Sequence, residues 1–269
     1  MVSVQELYEL WATDAYAELK DALGESLAPR GPGWLLELFA ELQPQPGQLV
    51  LDIGARDAVG AIELVSRHDL RAIALDPVRL HCERARQAVG DAGLADSIEV
   101  VEGAIENLPL GDASVDWIWC RDVLVHVDAR QGLAECARVL RPGGAMVAYV
   151  TLATERLEPQ ERAELARLGA IVPDSFTSAG IENAAGEAGL DLRRVERLGS
   201  EWRERLIEDG DIDTAAGLLA VARLDRRRSE LVGRFGAEAV DVARNGFLWG
   251  AYQMLGKLSP TVFVWERRA

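Results

Sequence analysis

Short apolar runs alternate with segments of helical periodicity through the middle of the chain. Apolar runs of this kind predict buried strands, and apolar residues that recur every three or four positions predict amphipathic helices. The predicted strands are Leu49–Ile53, Arg71–Leu75, Ser97–Val101, Val115–Cys120, Met146–Thr151, Leu192–Leu198 and Thr261–Glu266. The predicted helices between them are Ala58–Ser66, Pro77–Val89 and Ala129–Leu140, followed by two helices within residues 154–190. This alternation indicates an α/β fold, a doubly wound and mostly parallel sheet with helices on both faces.

The segments that flank this alternation have a helical pattern only. Residues 3–24 predict one amphipathic helix, in which Ser3 and Glu6 form a capping box. A second helix is predicted at Trp34–Leu42, and prolines at 44 and 46 mark a boundary after it. Residues 201–258 are helical and rich in charge, and Ser259-Pro260 is expected to break the chain before the last strand.

We therefore predict a single domain over residues 1–269. Its core would comprise residues 45–200 and 259–269, which carry the strand–helix alternation. The two remaining segments, residues 1–44 and 201–258, would form a helical lid over a binding site. Small-molecule sites need apolar walls that exclude water, and an open sheet edge alone does not supply them.

The charge balance narrows the class of partner. The chain has 44 acidic and 29 basic residues, a net charge of −15. Such a charge argues against nucleic acid and against an anionic membrane surface as partners. No apolar stretch is long enough to predict a membrane span, and the first residues lack the pattern of a signal peptide, so a cytoplasmic location is expected. A homodimer remains an open alternative.

Cysteine and histidine are too sparse and too scattered to predict a metal site or a disulfide framework. The three cysteines, at 82, 120 and 136, form no close pair, and the three histidines lie far apart in sequence. No metal is expected, and a reducing environment is the default for such a cysteine content.

The segment Leu49–Gly60, LVLDIGARDAVG, combines a strand, an acid, a glycine turn and a helix start. Gly54 allows a tight turn and a close approach to a ligand, and the helix start offers free N–H groups to an anion. Asp76 ends the next strand, where a carboxylate could accept both hydroxyls of a ribose. An alternative interpretation makes Asp76 a helix N-cap, because Pro77 suits the first helical position. Both interpretations stay open from the sequence.

Four motifs in a fixed order carry a family resemblance: LVLDIG, AIALDP, ENLPLGDASVD and LRPGG. This run resembles class I S-adenosylmethionine-dependent methyltransferases that modify small molecules, of the type 11-like kind, over residues 47 to about 200. The resemblance implies a seven-stranded Rossmann-like fold whose last strand is the antiparallel hairpin strand. It also implies S-adenosylmethionine as cofactor and a small molecule as acceptor.

The resemblance further implies a set of cofactor-binding residues. Asp52, Gly54 and Ala55 would line the methionine part, with Arg56 beside them, and Asp76, next to Pro77, would hold the ribose. Ala104 and Ile105 would border the adenine, and Cys120 and Arg121 would border the methionine part and the acceptor. The family carries glycine where this chain has Arg56 and Ala58, and an acid where it has Ala104. We expect the Arg56 side chain to point outward or to pair with the cofactor carboxylate; the alternative is a degraded cofactor site.

His126 is the candidate catalytic residue. It follows the fourth strand at the mouth of the predicted site, and imidazole is the base best suited to deprotonate an acceptor near neutral pH. The alternative is a histidine that only packs beside the cofactor. The aromatic residues of the flanking segments have two interpretations as well, an acceptor wall or simple core packing; they are Tyr8, Trp11, Tyr16, Trp202, Phe247, Trp249 and Tyr252.

Three functions are therefore open at this point. The first is transfer of a methyl group from S-adenosylmethionine to the oxygen, nitrogen or carbon of a small acceptor. The second keeps the fold without methyl transfer, as a cyclase-like or isomerase-like enzyme or a non-catalytic binding module, and is favoured by Arg56 and Ala104. The third, a nicotinamide-dependent oxidoreductase, fits Asp76 but lacks the glycine triplet and leaves ENLPLGDASVD unexplained.

Overall fold

A computed structural model describes residues 2–268 of the chain, which form a seven-stranded sheet flanked by helices. The strands are β1 (Leu49–Ile53), β2 (Arg71–Asp76), β3 (Ile98–Glu102), β4 (Val115–Arg121), β5 (Leu140–Ala153), β6 (Leu190–Arg197) and β7 (Leu258–Arg267). Their order across the sheet is β3-β2-β1-β4-β5-β7-β6. The first five strands are parallel to one another, and β7 runs antiparallel between β5 and β6. The predicted fold class, including the antiparallel last strand, is confirmed.

The order of the strands locates the functional edge of the sheet. From β1 the chain moves outward through β2 to β3 and then returns to the other side of β1 with β4. Ligands of doubly wound sheets bind at the carboxyl ends of the strands, at the point where the strand order reverses. In this protein that point lies between β1 and β4.

The helices occupy both faces of the sheet and both flanking segments. The helices of the core are α3 (Trp34–Glu41), α4 (Val59–His68), α5 (Arg79–Asp91), α6 (Ala129–Val139), α7 (Pro159–Leu168) and α8 (Ser178–Glu187). The flanking helices are α1 (Val4–Trp11), α2 (Asp14–Leu23), α9 (Glu201–Glu208), α10 (Asp213–Arg226), α11 (Arg228–Phe235) and α12 (Ala237–Met254). None of the helices within residues 2–268 combines the length and the apolar character that a membrane crossing requires.

Residues 3–24 form two helices, so the prediction of a single helix is wrong. Thr13 has an extended backbone, its Oγ1 donates to the carbonyl of Leu10 at 2.7 Å, and the same oxygen accepts from the N–H of Tyr16 at 3.2 Å. One hydroxyl thus ends α1 and caps α2, because threonine competes with the backbone for helical hydrogen bonds. The capping box of Ser3 and Glu6 at the start of α1 is confirmed.

The first two helices are not part of the core. Neither α1 nor α2 buries a residue, and the side chains of Tyr8 and Trp11 are 63% and 48% exposed. The core-packing interpretation of these aromatic residues is therefore wrong. The chain is anchored only after α2, where the Arg30 guanidinium pairs with Glu196 at 2.9 Å and with Glu201 at 2.6 Å.

Two predicted element boundaries also differ from the structure. The helix expected at Pro77 begins at Arg79 after an extended Val78, so Asp76 is not the N-cap residue. Ser259-Pro260 does not break the chain, because β7 begins at Leu258 and Pro260 pairs with Thr151 of β5. The Pro260 carbonyl still accepts from the N–H of Leu198 at 2.8 Å, so the proline keeps β7 hydrogen-bonded to the segment after β6.

Candidate active site

The turn after β1 is built so that it can lie against the end of β4. Gly54 has a φ of +72°, and a Cβ added to it would lie 2.3 Å from Cγ2 of Val123. The N–H groups of Gly54 and Ala55 both donate to the carbonyl of Leu75, at 2.8 and 3.1 Å. Gly54 is therefore required both for its left-handed backbone and for the space beside Val123.

The two positions where the resembled family carries glycine retain a glycine-like backbone here. Arg56 has a φ of 51° and Ala58 a φ of 60°, both in the left-handed region that L-residues enter at a cost of about 1–2 kcal/mol. The Arg56 side chain is exposed at the rim of the turn, and the backbone N–H of Arg56 donates to Oδ2 of Asp76 at 2.9 Å. The turn thus keeps its shape despite the loss of both glycines.

Asp52 is a buried carboxyl group at the end of β1. It is 4% exposed, and its Oδ2 accepts from the N–H of Ala61 at 2.9 Å. Burial raises the pKa of Asp52 to about 7, against the opposing effects of the Ala61 N–H and of Arg121. A nearby cation would therefore stabilise the ionised form strongly.

Asp76 joins the loops after β1 and β2. Its carboxylate accepts from the N–H of Arg56 and of Val78, both at 2.9 Å, and lies 3.0 Å from Nδ1 of His81. A carboxylate has about four lone-pair sites, so these three contacts leave capacity for roughly one further hydrogen bond. Asp76 therefore shapes the site in addition to any contact it makes with a ligand.

A cavity of about 250 Å³ lies at the reversal point between β1 and β4. It brings together five of the predicted cofactor residues, namely Asp52, Gly54, Ala55, Arg56 and Arg121, with Trp119, Asp122 and Tyr149. The remaining predicted residues, Asp76, Pro77, Ala104, Ile105 and Cys120, do not line this cavity. Ile105 and Cys120 have fully buried side chains, so a ligand beside them would meet their backbone.

A second, larger cavity of about 850 Å³ lies on the other side of Asp122. It is walled by α10, α12 and the segments around residues 125 and 170; its lining includes Val125, His126, Leu168, Ile171, Arg203, Asn245, Phe247 and Trp249. Of the two interpretations of the aromatic residues in the late helical segment, a cavity wall or core packing, the first fits Phe247 and Trp249, which line this cavity. Trp202 instead stacks on Tyr149, with ring centroids 4.4 Å apart, and Tyr252 is only half-buried.

Asp122 lines both cavities and was not predicted from the sequence. It adopts a φ of 52° directly after β4, and its carboxylate accepts from the N–H of Thr151 at 2.7 Å and from its hydroxyl at 3.2 Å. Burial raises the pKa of Asp122 above its ordinary value. The signal for it was its place at a strand end, the same signal that singled out Asp52 and Asp76.

His126 lies on the wall of the larger cavity, not in the cavity that holds the predicted cofactor residues. Its Nδ1 is 3.1 Å from the carbonyl oxygen of Ala170, and a carbonyl can only accept. In the neutral imidazole the proton therefore sits on Nδ1 and the lone pair on Nε2. The arrangement leaves Nε2 as the proton-accepting atom, which is the state that a general base requires.

No metal-binding cluster accompanies this site. Within residues 2–268, no group of three His, Cys, Asp or Glu side chains is placed to hold a metal ion. The thiols at 82, 120 and 136 are free and buried.

Comparison with known proteins identifies the family. The profile of a family described as a methyltransferase domain matches residues 51–148. A sarcosine/dimethylglycine N-methyltransferase of Halorhodospira halochloris is 30% identical over 203 residues, which are 75% of this chain and 68% of that protein. An O-methyltransferase of Aspergillus sclerotiorum is 29% identical over 210 residues, 77% of this chain and 73% of the relative.

Solved structures agree with the fold. A Galdieria sulphuraria protein assigned as a sarcosine dimethylglycine methyltransferase superposes with a TM-score of 0.69 at 23% identity, over 87% of this chain and 84% of its own. The phosphoethanolamine N-methyltransferase 2 of Haemonchus contortus, solved with S-adenosyl-L-methionine, superposes with a TM-score of 0.66 at 18% identity, over 91% of this chain and 54% of its own. The chain thus belongs to the S-adenosylmethionine-dependent methyltransferases, enzymes that transfer a methyl group from this cofactor to a small-molecule acceptor.

Proposed function

We propose that this enzyme methylates a hydroxyl group of a bulky, mostly apolar acceptor, with the methionine part of the cofactor in the smaller cavity and the acceptor in the larger one. The observation that carries the proposal is the shared wall at Asp122, which lines both cavities. Methyl transfer needs donor and acceptor side by side and in line, and two adjoining cavities provide that proximity.

The residues of the smaller cavity fit the cofactor. The indole Nε1 of Trp119 is buried without a hydrogen-bond partner within residues 2–268, and Trp119 lines this cavity. Buried polar groups nearly always have a hydrogen-bond partner, so a ligand bound in this cavity would supply the acceptor that this indole N–H lacks. The buried Asp52 carboxyl group on the same wall suits a cationic ligand group.

Each part of S-adenosylmethionine has a candidate partner in this chain. Asp52 would pair with the amino group, and Arg121 or Arg56 with the carboxylate. Asp76 would offer its remaining lone pair to the ribose, while the backbone at Ala104 and Ile105 would border the adenine. When bound, the cofactor supplies a methyl group activated by a sulfonium sulfur.

The residues of the larger cavity would prepare the acceptor. Val125, Ile171 and Trp249 give it an apolar wall, which would help to exclude water around a bound acceptor. His126 would accept the proton of the acceptor hydroxyl at Nε2, while Ala170 holds its Nδ1–H. Asp122 is placed between the cavities, where it would orient the acceptor.

The size of the larger cavity favours a bulky acceptor. Cavities of about 300–1,000 Å³ hold drug-sized ligands, and this one, at about 850 Å³, is near the upper end. O-methylation is the activity in the name of the Aspergillus relative. A second candidate is N-methylation of a small amine, the activity in the name of the Halorhodospira relative, and the acidic wall at Asp122 and Asp213 favours it.

Of the two segments predicted as a lid, residues 1–44 and 201–258, the part at α3 belongs to the core, because Leu35, Leu38 and Phe39 are buried in it. Helices α1 and α2 and residues 201–258 would act as the cap of this domain. The larger cavity draws part of its wall from α10 and α12, which supports that role for the second segment. For α1 and α2 the support is their exposure, because a segment without buried contacts is free to move onto a bound ligand. Hydrogen exchange on residues 4–23 should show protection only with S-adenosylhomocysteine bound; protection that is equal in both states excludes a lid.

The direct test is methyl transfer to a panel of acceptors. The purified chain is incubated with S-adenosylmethionine and with naphthalenediols, sarcosine or dimethylglycine, and S-adenosylhomocysteine formation is measured. We expect turnover with the naphthalenediols and methyl ethers as products. Turnover with sarcosine and dimethylglycine alone would establish the second candidate instead. Calorimetry with S-adenosylhomocysteine and NAD in the same preparation separates a failed acceptor choice from a failed cofactor site.

A further inference from the structure

Arg203 of α9 carries a guanidinium that faces the larger cavity without a carboxylate partner. Its Nε donates to Oε1 of Gln253 at 2.6 Å, and Gln253 is 3% exposed. Within residues 2–268 no carboxylate lies within ion-pair distance of Arg203. The bond to Gln253 fixes the plane of the guanidinium and leaves both Nη atoms for another group.

Asn245 of α12 lines the same cavity. The residue is 8% exposed, and no hydrogen bond of its side chain is found within residues 2–268. Its amide is not among the buried polar atoms that lack a partner, so it is accessible from the cavity. A side-chain amide has two N–H donors, which a ligand in the cavity can use.

The helix that carries Asn245 also makes room for the guanidinium. A Cβ added to Gly250 would lie 3.3 Å from Cζ of Arg203 and 3.1 Å from Oγ1 of Thr214. That separation is tighter than ordinary van der Waals contact, so a larger residue at 250 would press against the guanidinium. The position of Arg203 at the wall therefore depends on a glycine of α12.

We infer that Arg203 and Asn245 form a subsite for a carboxylate of the acceptor. The inference rests on the proposed function, because it takes the larger cavity as the acceptor site. It narrows the acceptor to a bulky hydroxylated carboxylic acid, in which the hydroxyl is methylated and the acid anchors the molecule.

The hydrogen-bond donors of Arg203 and Asn245 favour a carboxylate over other anions as the ligand. Two parallel N–H groups of a guanidinium match the two oxygens of a carboxylate, and the amide of Asn245 adds a third donor. A phosphate carries about two negative charges. Arg203 would neutralise only one of them, and the other would lie uncompensated against a largely apolar wall. The other charged groups on this wall, Asp122 and Asp213, are acids and would repel an anion elsewhere in the cavity.

Matched acid and ester probes test the subsite. The probes are 6-hydroxy-2-naphthoic acid and its methyl ester, which differ only in the charged group. Their binding is measured by calorimetry on the protein saturated with S-adenosylhomocysteine. We expect the acid to bind about tenfold more tightly than the ester or better, the effect of a charge-assisted hydrogen bond.

Variants assign the preference to the two side chains. Arg203→Met should abolish the preference for the acid, and Asn245→Leu should reduce it. Arg205→Met is the matched control, because it removes the same charge from the same helix, where Arg205 is exposed and pairs with Asp209. It should leave the preference unchanged. If Arg203→Met does not fold, Arg203→Lys should show a reduced preference for the acid, because lysine keeps the charge but lacks the two parallel N–H groups of a guanidinium.

Three results overturn the subsite. They are equal binding of acid and ester by the unaltered protein, failure of both to bind, and a loss of S-adenosylhomocysteine affinity in Arg203→Met, which would assign the guanidinium to the cofactor. The first of these results, if both probes are methylated, would leave the proposed function standing. A preference for the acid that depends on Arg203, without methylation of its hydroxyl, would support the subsite and contradict the proposed function.

Discussion

The smaller cavity is lined mainly by strand ends and by the loop after β1, whereas helices α10 and α12 supply much of the wall of the larger cavity. In the first, the shape comes from backbone features, such as the left-handed turn at Gly54 and the N–H groups that Asp52 and Asp76 accept. In the second, the wall is formed by side chains such as Arg203 and Asn245. The difference teaches that the smaller cavity, the proposed cofactor site, is fixed by topology, while the larger cavity, the proposed acceptor site, depends on which residues the helices carry.

Replacement of His126 should have the largest effect on the rate of methyl transfer, without an effect on cofactor binding. His126→Gln should lower kcat by about 100-fold to 10,000-fold, the usual contribution of a general base, and leave S-adenosylhomocysteine affinity unchanged. His68→Gln, outside both cavities, serves as control. A change in kcat below about threefold, far short of that contribution, would leave His126 as a packing residue.

A methyl group at Gly54 should destabilise the turn after β1, which lines the smaller cavity. Gly54→Ala combines left-handed strain with the clash against Val123 and should lower the free energy of unfolding by about 3 kcal/mol. Gly47→Ala is the matched control, because Gly47 has a φ of +79° and open space around its Cα. It should cost only the strain, about 1–2 kcal/mol. Equal losses in urea denaturation would show that the contact with Val123 is unimportant.

The charge of Asp52 should make cofactor affinity depend on pH. Since burial raises its pKa to about 7, the carboxyl group is protonated below that pH and must lose its proton to pair with an amino group. S-adenosylhomocysteine affinity should therefore rise with pH up to about 7 and level off above it. Asp52→Asn should flatten this profile and weaken binding at pH 8 by about 2 kcal/mol, the value of a hydrogen bond to a charged group.

The stability of the ligand-free protein should show the opposite trend. The folded state holds the Asp52 proton between the ordinary pKa near 4 and about 7, so unfolding in this range releases a proton and stability falls as pH rises. Asp52→Asn should remove this part of the pH dependence in thermal denaturation. An unchanged profile in the variant would mean that the Asp52 carboxyl group is ionised throughout.

The smallest effect is expected at Arg56. Arg56→Gly should relieve left-handed strain and raise the free energy of unfolding by about 0.5–1 kcal/mol, with cofactor affinity similar or slightly better. Asp69→Gly is the control, since Asp69 has a φ of 54° and lies outside both cavities. A tenfold loss of affinity in Arg56→Gly alone would identify Arg56 as the partner of the cofactor carboxylate.

The residues around the smaller cavity could be predicted from the sequence to a larger extent than those around the larger cavity. Buried strands such as β1 and β2 give continuous apolar runs, so the sheet and the acids at its edge, Asp52 and Asp76, follow from the local pattern. Asp122 escaped notice although it follows β4. Arg203 and Asn245 come from separate helices, and no local pattern indicates that both face one cavity.

Hydrogen bonds that the sequence pattern does not reveal explain two wrong predictions, the single helix at residues 3–24 and the chain break at Pro260. The periodicity of residues 3–24 is helical throughout, but the Thr13 hydroxyl satisfies the backbone at Leu10 and Tyr16 and interrupts it. At Pro260 the local signal for a break is overridden by the pairing of β7 with β5, which extends from Leu258 to Glu266.

The helical segment α9–α12 leaves the sheet after β6 and returns to it as β7, and these two strands are neighbours. Arg197 at the end of β6 pairs with Thr261 near the start of β7, so the whole segment is an excursion from the ends of one hairpin. The closure entropy of such an excursion changes slowly with its length, by about 0.6 kcal/mol for each doubling. Changes of length within α10–α12 should therefore cost little closure entropy, whereas α9 is held to the sheet by the stacking of Trp202 on Tyr149. We expect exchanges within residues 213–254 to alter the larger cavity while the pairing of β6 with β7 persists.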